Sequence, residues 1–124
     1  FDGGVTVAAS SSPHVVPRFS VEAAVDPEEA VVAAVSSCHM LSFLYLAAKA
    51  GFNALSYEDN ASGEMSDLED GNKWISKITL SPTIEWSGHG PNDHELTALH
   101  KEAHKICYIA NSIRSEIIIR SINK

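Results

Sequence analysis

A run of apolar and small residues dominates the hydropathy pattern of this chain: the 19 positions of residues 30–48 include no Lys, Arg, Asp or Glu. Signals typical of helix ends flank the run. Asp26 is a favourable N-cap, Pro27 suits the first turn, and Gly51 is typical of the position that follows a helix. The pattern therefore predicts a long helix over residues 27–50.

The same run is long enough to span a membrane. Polar side chains at its centre, residues 36–39, and an acidic first turn formed by Glu28 and Glu29 favour instead the central core helix of a soluble domain. A helix that is apolar on all sides is expected to be buried on all sides. One small domain can hardly cover such a helix alone, which favours a homodimer without membrane contact.

The remaining elements are strands and one further helix. Asp70 and Gly71 are typical of a hairpin turn, and Asn92 or Asp93 can cap the second helix. The predicted elements in chain order are strands over residues 5–9 and 53–65, a strand over 74–80 that continues through 83–86, a helix over 94–112 and a strand over 116–122. This order predicts an α+β fold, in which the long buried central helix and the second helix pack against an antiparallel sheet.

Length and composition narrow the class of protein. The chain has 124 residues and a mass of 13.3 kDa, which suits one ordinary domain. We expect residues 1–124 to form that domain, with its natural first strand missing. The net charge of −7 argues against a nucleic-acid partner. Two cysteines are too few for a disulfide scaffold, and the start of the chain lacks the pattern of a leader peptide, so we expect a cytoplasmic protein.

The two cysteines fall on core-facing stretches of the two helices. Cys38 lies in the middle of the first helix and Cys107 lies late in the second. Because two buried helices in a small domain must pack on each other, the two sulfur atoms can meet. One thiolate could then attack a peroxide oxygen, and the second thiol could resolve the sulfenic acid as a disulfide. The alternative is that both are inert packing residues, as most buried cysteines are.

Three side chains lie on one face of the second helix, and the two histidines among them resemble half of a zinc site. His100, His104 and Cys107 follow one another at spacings of four and three, and Cys38 or His39 could complete four ligands. No C-x-x-C or H-E-x-x-H motif accompanies them. His100 and His104 are therefore interpreted as histidines on the polar face of the helix.

Arg18 and Glu28 are candidates for activating a thiol. A cysteine that reacts near neutral pH needs a nearby cation to lower its pKa, and Arg18 lies in the loop that leads into the first helix. Glu28 precedes Cys38 by ten residues and is expected on roughly the same helix face, where it could hold Arg18 over the thiolate. Glu28 could equally be a first-turn residue that favours the helix dipole.

Two segments resemble a known family. The sequence DPEEAVVAAVSSCHM, residues 26–40, resembles the helix that begins with (N/D)PEE and reaches a reactive cysteine in the OsmC/Ohr family, the osmotically inducible and organic-hydroperoxide-resistance proteins. The sequence CYIANSIRSEIII, residues 107–119, resembles the second cysteine signature of that family. Two departures are Tyr108, where the family usually has proline, and His39, where many members have an aromatic residue.

The resemblance implies an intertwined homodimer and a peroxiredoxin-like, thiol-dependent peroxidase that acts on organic hydroperoxides. In that role Cys38 is the peroxidatic cysteine and Cys107 the resolving one, while Arg18, held by Glu28, stabilises the thiolate and orients the peroxide. No bound cofactor or metal is expected, and a dithiol protein of the lipoyl type would reduce the disulfide. The alternative function is a non-enzymatic dimeric module that binds an apolar ligand.

Overall fold

The computed structural model describes residues 1–123, which form two α-helices, six strands and two short 3₁₀ turns. The predicted α+β fold is thereby confirmed. The helices are α1 (Pro27–Lys49) and α2 (Asp93–Ile106), and the 3₁₀ turns are Pro17–Phe19 and Ala110–Ser112. The strands are β1 (Ala54–Asp59), β2 (Ser62–Asp67), β3 (Lys73–Leu80), β4 (Pro82–Trp86), β5 (Glu116–Ile119) and β6 (Ile122–Asn123).

The strands form two three-stranded sheets. The first has the spatial order β1, β4, β6, and the second has the order β2, β3, β5. The pairs β1–β4 and β2–β3 are antiparallel, whereas β5 and β6 lie parallel to β3 and β4. Each sheet therefore contains one antiparallel pair and is mixed as a whole.

Each long strand expected from the sequence is divided between the two sheets. The chain passes from one sheet to the other at residues 60–61, at Ser81 and at residues 120–121. Asp59 stabilises the first two crossings because its carboxylate accepts the Ser81 N–H at 2.6 Å and the Ser36 hydroxyl of α1 at 2.5 Å. The prediction of one strand over residues 53–65 is therefore wrong, since a crossing interrupts it.

The ends of α1 lie within one residue of those predicted. The Asp26 carboxylate accepts the N–H of Glu29 at 2.7 Å, and Gly51 has a φ of +90°, a conformation that favours glycine. One stripe of the helix is buried in the chain. It consists of Val35, His39, Phe43 and Ala47.

The opposite face of α1 is exposed, so the prediction of burial on all sides is wrong for a single copy. Leu41 and Tyr45 on this face are 65% and 62% exposed. By length and composition α1 is apolar enough to cross a membrane, and 22% of its most apolar stretch is buried inside the chain. The helix therefore combines a packed stripe with an apolar outer face.

The core has two parts because α1 packs against both sheets. Val35, in the first half of α1, packs with Ile78 and Leu80 of β3. The second half of α1 packs against β4 and α2. This part of the core contains Phe43, Ala47, Ile84, Leu96 and Ala103. The contact between α1 and α2 positions the candidate site described below.

Helix α2 is shorter than predicted. Asn92 caps it by accepting the Glu95 N–H at 3.0 Å, and the Glu95 carboxylate accepts the Asn92 N–H at 2.9 Å. The helix ends at Ile106, and Cys107 is its C-cap, with a ψ of 110°. The prediction that Cys107 lies within the helix is therefore wrong by one residue.

Residues 5–9 do not form the predicted strand. Within the described part of the chain, their strand-like pairing is a single bridge between Ala9 and Val25. Val5 and Val7 are exposed. A strand needs a neighbour along its length to satisfy its backbone hydrogen bonds, and here another segment runs alongside for one residue only.

Candidate active site

The two cysteines meet where α1 crosses the end of α2. Cys38 lies in the middle of α1 and is partly buried, whereas Cys107 is fully buried at the end of α2. Both are free thiols, and each shifts the pKa of the other, so their side chains lie next to each other. Helix packing thus brings together the two sulfur atoms that the sequence placed on separate helices.

The two thiols have opposite environments. Burial opposes ionisation of Cys38, but hydrogen bonds from the Ile109 N–H, the Cys107 thiol and the Tyr108 N–H outweigh it and hold the pKa of Cys38 below its ordinary value. Burial raises the pKa of Cys107, and its hydrogen bond to Cys38 raises that pKa further. The arrangement favours the thiolate form of Cys38 and keeps the proton on Cys107.

The end of α2 makes these backbone donors available. Cys107 turns the chain out of the helix, so the N–H groups of Tyr108 and Ile109 are not used in the helix ladder. The following 3₁₀ turn is held by the Asn111 side-chain amide, which donates to the Lys105 carbonyl at 2.9 Å. The turn also places the Ala110 N–H 3.4 Å from the Cys107 sulfur.

An open pocket of about 610 Å³ adjoins Cys38. Its walls come from α1 and from the end of α2, and they include Leu41, Tyr45, Ile106 and Tyr108. Apolar and aromatic walls of this kind can hold the alkyl or aryl part of a small molecule while a polar end meets the sulfur. The site therefore combines a thiol of lowered pKa with an apolar surface.

Arg18 and Glu28 do not join the cysteines in this chain. Arg18 is exposed, with its guanidinium 5.5 Å from the ring centre of Phe19. Glu28 lines a different pocket, and one of its carboxylate oxygens is buried without a hydrogen-bond partner in the described chain. Ten residues of helix leave Glu28 and Cys38 about 80° apart, so the expectation of a shared face is wrong. Among the described residues, no ion pair links Arg18 to Glu28.

Two buried histidines link α1 to α2 beside this site. Nε2 of His39 and Nδ1 of His100 lie 3.0 Å apart, and the side chains are 1% and 5% exposed. The interpretation of His100 as a polar-face residue is therefore wrong. Burial lowers the pKa of both histidines to about 4, so both rings are neutral at pH 7. In residues 1–123, no group of three or more His, Cys, Asp or Glu side chains converges as a metal site would require.

Sequence reasoning missed the histidine pair and the backbone donors at Cys38. A signal for the pair exists, because His39 follows Val35 and precedes Phe43 at the four-residue spacing of the buried stripe. His100 follows buried Leu96 at the same spacing. No signal marks the donors, since almost every residue type supplies a backbone N–H.

Comparison with known proteins gives one family. A family model described as OsmC-like protein matches residues 20–121. An OsmC-like protein of unknown function from Vibrio cholerae is 47% identical, with a TM-score of 0.91 over 98% of this chain and 80% of that chain. The comparison with curated proteins gives no match.

More distant structures share the fold. The organic hydroperoxide resistance protein OhrB of Bacillus subtilis is 18% identical, with a TM-score of 0.75 over 99% of this chain and 86% of that chain. The organic hydroperoxide resistance protein OsmC of Legionella pneumophila is 16% identical, with a TM-score of 0.70 over 99% of this chain and 84% of that chain. The family match spans both cysteines and confirms the resemblance read from the sequence. This chain therefore belongs to the OsmC-like family.

Proposed function

We propose that this protein is a two-cysteine thiol peroxidase that reduces organic hydroperoxides to alcohols. The observation that carries the proposal is that Cys38 and Cys107 lie next to each other beside an apolar pocket. A lowered pKa at one thiol and a raised pKa at its partner suit a nucleophile and a resolving thiol. The names of the Bacillus subtilis and Legionella pneumophila relatives, as organic hydroperoxide resistance proteins, support the same substrate class.

The proposed cycle has three steps: reduction of the peroxide, formation of a disulfide, and reduction of that disulfide. The Cys38 thiolate attacks an oxygen of the hydroperoxide, the O–O bond breaks, and the released alkoxide takes a proton to leave as an alcohol. Cys107 then attacks the sulfenic acid on Cys38, so that a disulfide forms and water leaves. A dithiol reductant, proposed to be a protein with a lipoyl-type group, returns both cysteines to thiols and itself becomes a disulfide.

Arg18 and Glu28 are proposed to assist the first step. The buried, unpartnered oxygen of Glu28 supports the binding of a cation there, because a buried carboxylate is costly unless it is paired. Arg18 is exposed and has no ion pair in the described chain. The proposed contact between them would therefore form by movement of the turn Pro17–Phe19 or on dimerisation.

We further propose that the protein acts as a cytoplasmic homodimer. Apolar side chains are exposed around the Cys38 pocket, and an exposed apolar patch of this kind is typical of an interaction surface. These side chains are Leu41, Tyr45, Ile106 and Tyr108. A second copy on this face would cover the outer side of α1 and place the thiol site at the subunit interface.

Stoichiometric peroxide consumption tests the proposed function. Reduced wild type, Cys38→Ser and Cys107→Ser are each mixed with cumene hydroperoxide or hydrogen peroxide, and free thiols are counted afterwards. We expect wild type to lose both of its thiols and Cys38→Ser to leave the peroxide intact. Cumene hydroperoxide should react faster than hydrogen peroxide because its aryl group fits the apolar pocket.

Two variants separate the steps of the cycle. Cys107→Ser should react once and stop at a sulfenic acid that dimedone traps, and Arg18→Ala should slow the first step. Equal rates with the two peroxides would contradict the substrate class. If no reduced protein consumes peroxide, the enzymatic hypothesis is wrong, and a non-enzymatic module that binds an apolar ligand in this pocket becomes the better hypothesis.

A further inference from the structure

The contact between His39 and His100 is a directional bond inside the core. Their ring nitrogens lie 3.0 Å apart, and the ring planes differ by 10°. In a neutral pair, one nitrogen donates its proton and the other accepts it. Phe43 also stacks on His100, with the ring centres 4.2 Å apart. Two side chains of α1, one helical turn apart, thus hold the His100 ring of α2.

This contact lies beside the thiol contact on α1 but about two helical turns away from it on α2. His39 follows Cys38 directly on α1, while His100 precedes Cys107 by seven residues, about 10 Å along α2. The helices therefore touch through two polar contacts that are close together on α1 and about two turns apart on α2. Apolar packing between the helices tolerates small changes in their crossing angle, whereas two separated polar contacts of fixed distance restrict that angle.

We propose that His39 and His100 are positioning residues, whose hydrogen bond fixes the crossing of α1 over α2 and thereby holds the Cys38 sulfur against Cys107. The inference rests on the proposed function for its catalytic meaning, because resolution of a sulfenic acid requires the two sulfur atoms to meet. A hydrogen bond between ring nitrogens fixes both a distance and a direction. Apolar ring contacts are less directional, and a displacement of about 1 Å between reacting groups is enough to slow a reaction strongly.

Disulfide closure by diamide tests the positioning role without any peroxide. Diamide, an azo oxidant, takes two electrons and two protons from the thiol pair and becomes a hydrazine while the S–S bond forms. The variants are His39→Phe, His100→Phe and the double variant. Each single variant leaves a buried ring nitrogen without its partner. It should therefore lose thermal stability and form the disulfide between Cys38 and Cys107 more slowly.

The double variant separates positioning from core packing. It replaces both partners by apolar rings, so it should regain most of the thermal stability lost in the single variants. We expect its disulfide to close about tenfold more slowly than that of wild type, because the directional bond is absent. Ile78→Val, in the other part of the core, is the matched control: it should lower stability without slowing closure.

A second comparison applies if the double variant fails to fold. His39→Gln keeps a hydrogen-bonding group, so its disulfide should form at a rate within about threefold of the wild-type rate. The disulfide of His39→Leu, a variant of similar size, should form slowly because the hydrogen bond is lost. The inference would be overturned if the double variant formed its disulfide at the wild-type rate, or if the Gln and Leu variants formed it at equal rates. If the variants form the disulfide slowly and the wild type does not consume peroxide, the inference stands and only the proposed function is overturned.

Discussion

At the scale of single residues, the difference between the two cysteines comes from the groups that surround each sulfur. Three neighbouring groups lower the pKa of Cys38: the N–H groups of Ile109 and Tyr108 and the thiol of Cys107. Cys107 lies in the core and gives its own proton to that contact. In the described chain this asymmetry comes from neutral donors rather than from a cation, so the Cys107 side chain is part of what lowers the pKa of Cys38.

Substitutions of Cys107 should therefore differ in their effect on Cys38. Cys107→Ala removes a donor and should raise the pKa of Cys38, whereas Cys107→Ser keeps a hydroxyl donor and should leave that pKa low. Both variants retain Cys38 as the sole cysteine. The pH dependence of alkylation by iodoacetamide measures its pKa directly. Identical profiles for the two variants would contradict a role for the Cys107 donor.

Acid should destabilise the protein through His39 and His100. Burial lowers the pKa of both from 6.5 to about 4, so the unfolded chain takes up protons first as the pH falls. Their contribution to stability is complete above pH 6.5 and is lost as the pH falls toward 4. The free energy of unfolding should fall by up to about 3 kcal/mol for each histidine over that range.

Urea denaturation at several pH values between 7 and 4 measures this loss. The control is the double variant of His39 and His100 to Phe, in which carboxylates and other groups still titrate but the pair does not. Its stability should depend less steeply on pH than that of wild type. Parallel curves for the two proteins would contradict the assignment of the acid sensitivity to this pair.

At the scale of elements, the sequence indicates where strands lie but not where they change sheets. Residues 74–86 keep a strand-like pattern on both sides of Ser81, although β3 and β4 belong to different sheets. A two-residue alternation continues through such a crossing, because both halves turn one face to the core. What fixes the crossing is the carboxylate of Asp59, which comes from a distant part of the sequence.

Asp59→Ala should therefore destabilise the fold more than an ordinary surface substitution. It leaves the Ser81 N–H and the Ser36 hydroxyl without their acceptor, and we expect a loss of about 2 kcal/mol in the free energy of unfolding. Glu58→Ala is the matched control: it removes an exposed carboxylate from the adjacent position of β1 and should change stability by less than about 0.5 kcal/mol. Equal effects in urea denaturation would show that the crossing does not depend on Asp59.

At the scale of the whole molecule, the sequence is most informative where one residue type carries the chemistry. Cys38 and Cys107 could be selected from the sequence because thiols are few and both fall on apolar helix faces. The histidine pair depends on how α1 crosses α2, and the backbone donors depend on where α2 ends. The crossing of the helices and the end of α2 both depend on contacts between distant parts of the sequence, so only the packed structure reveals them.

The exposed apolar face of α1 gives the last prediction, which concerns assembly. Leu41 and Tyr45 are more than half exposed on the face that adjoins the thiol pocket, and burying such a face against a second copy would be favourable. We expect light scattering to give twice the chain mass of 13.3 kDa. Replacing both residues by Lys should give monomers, since a dimer would then have to bury four unpaired charges.

Leu55→Lys is the matched control for this assembly, because Leu55 is 68% exposed on β1 and lies outside the pocket wall. That variant should remain a dimer. A wild-type mass equal to one chain would contradict the homodimer, and a double Lys variant that still dimerises would place the interface on another face.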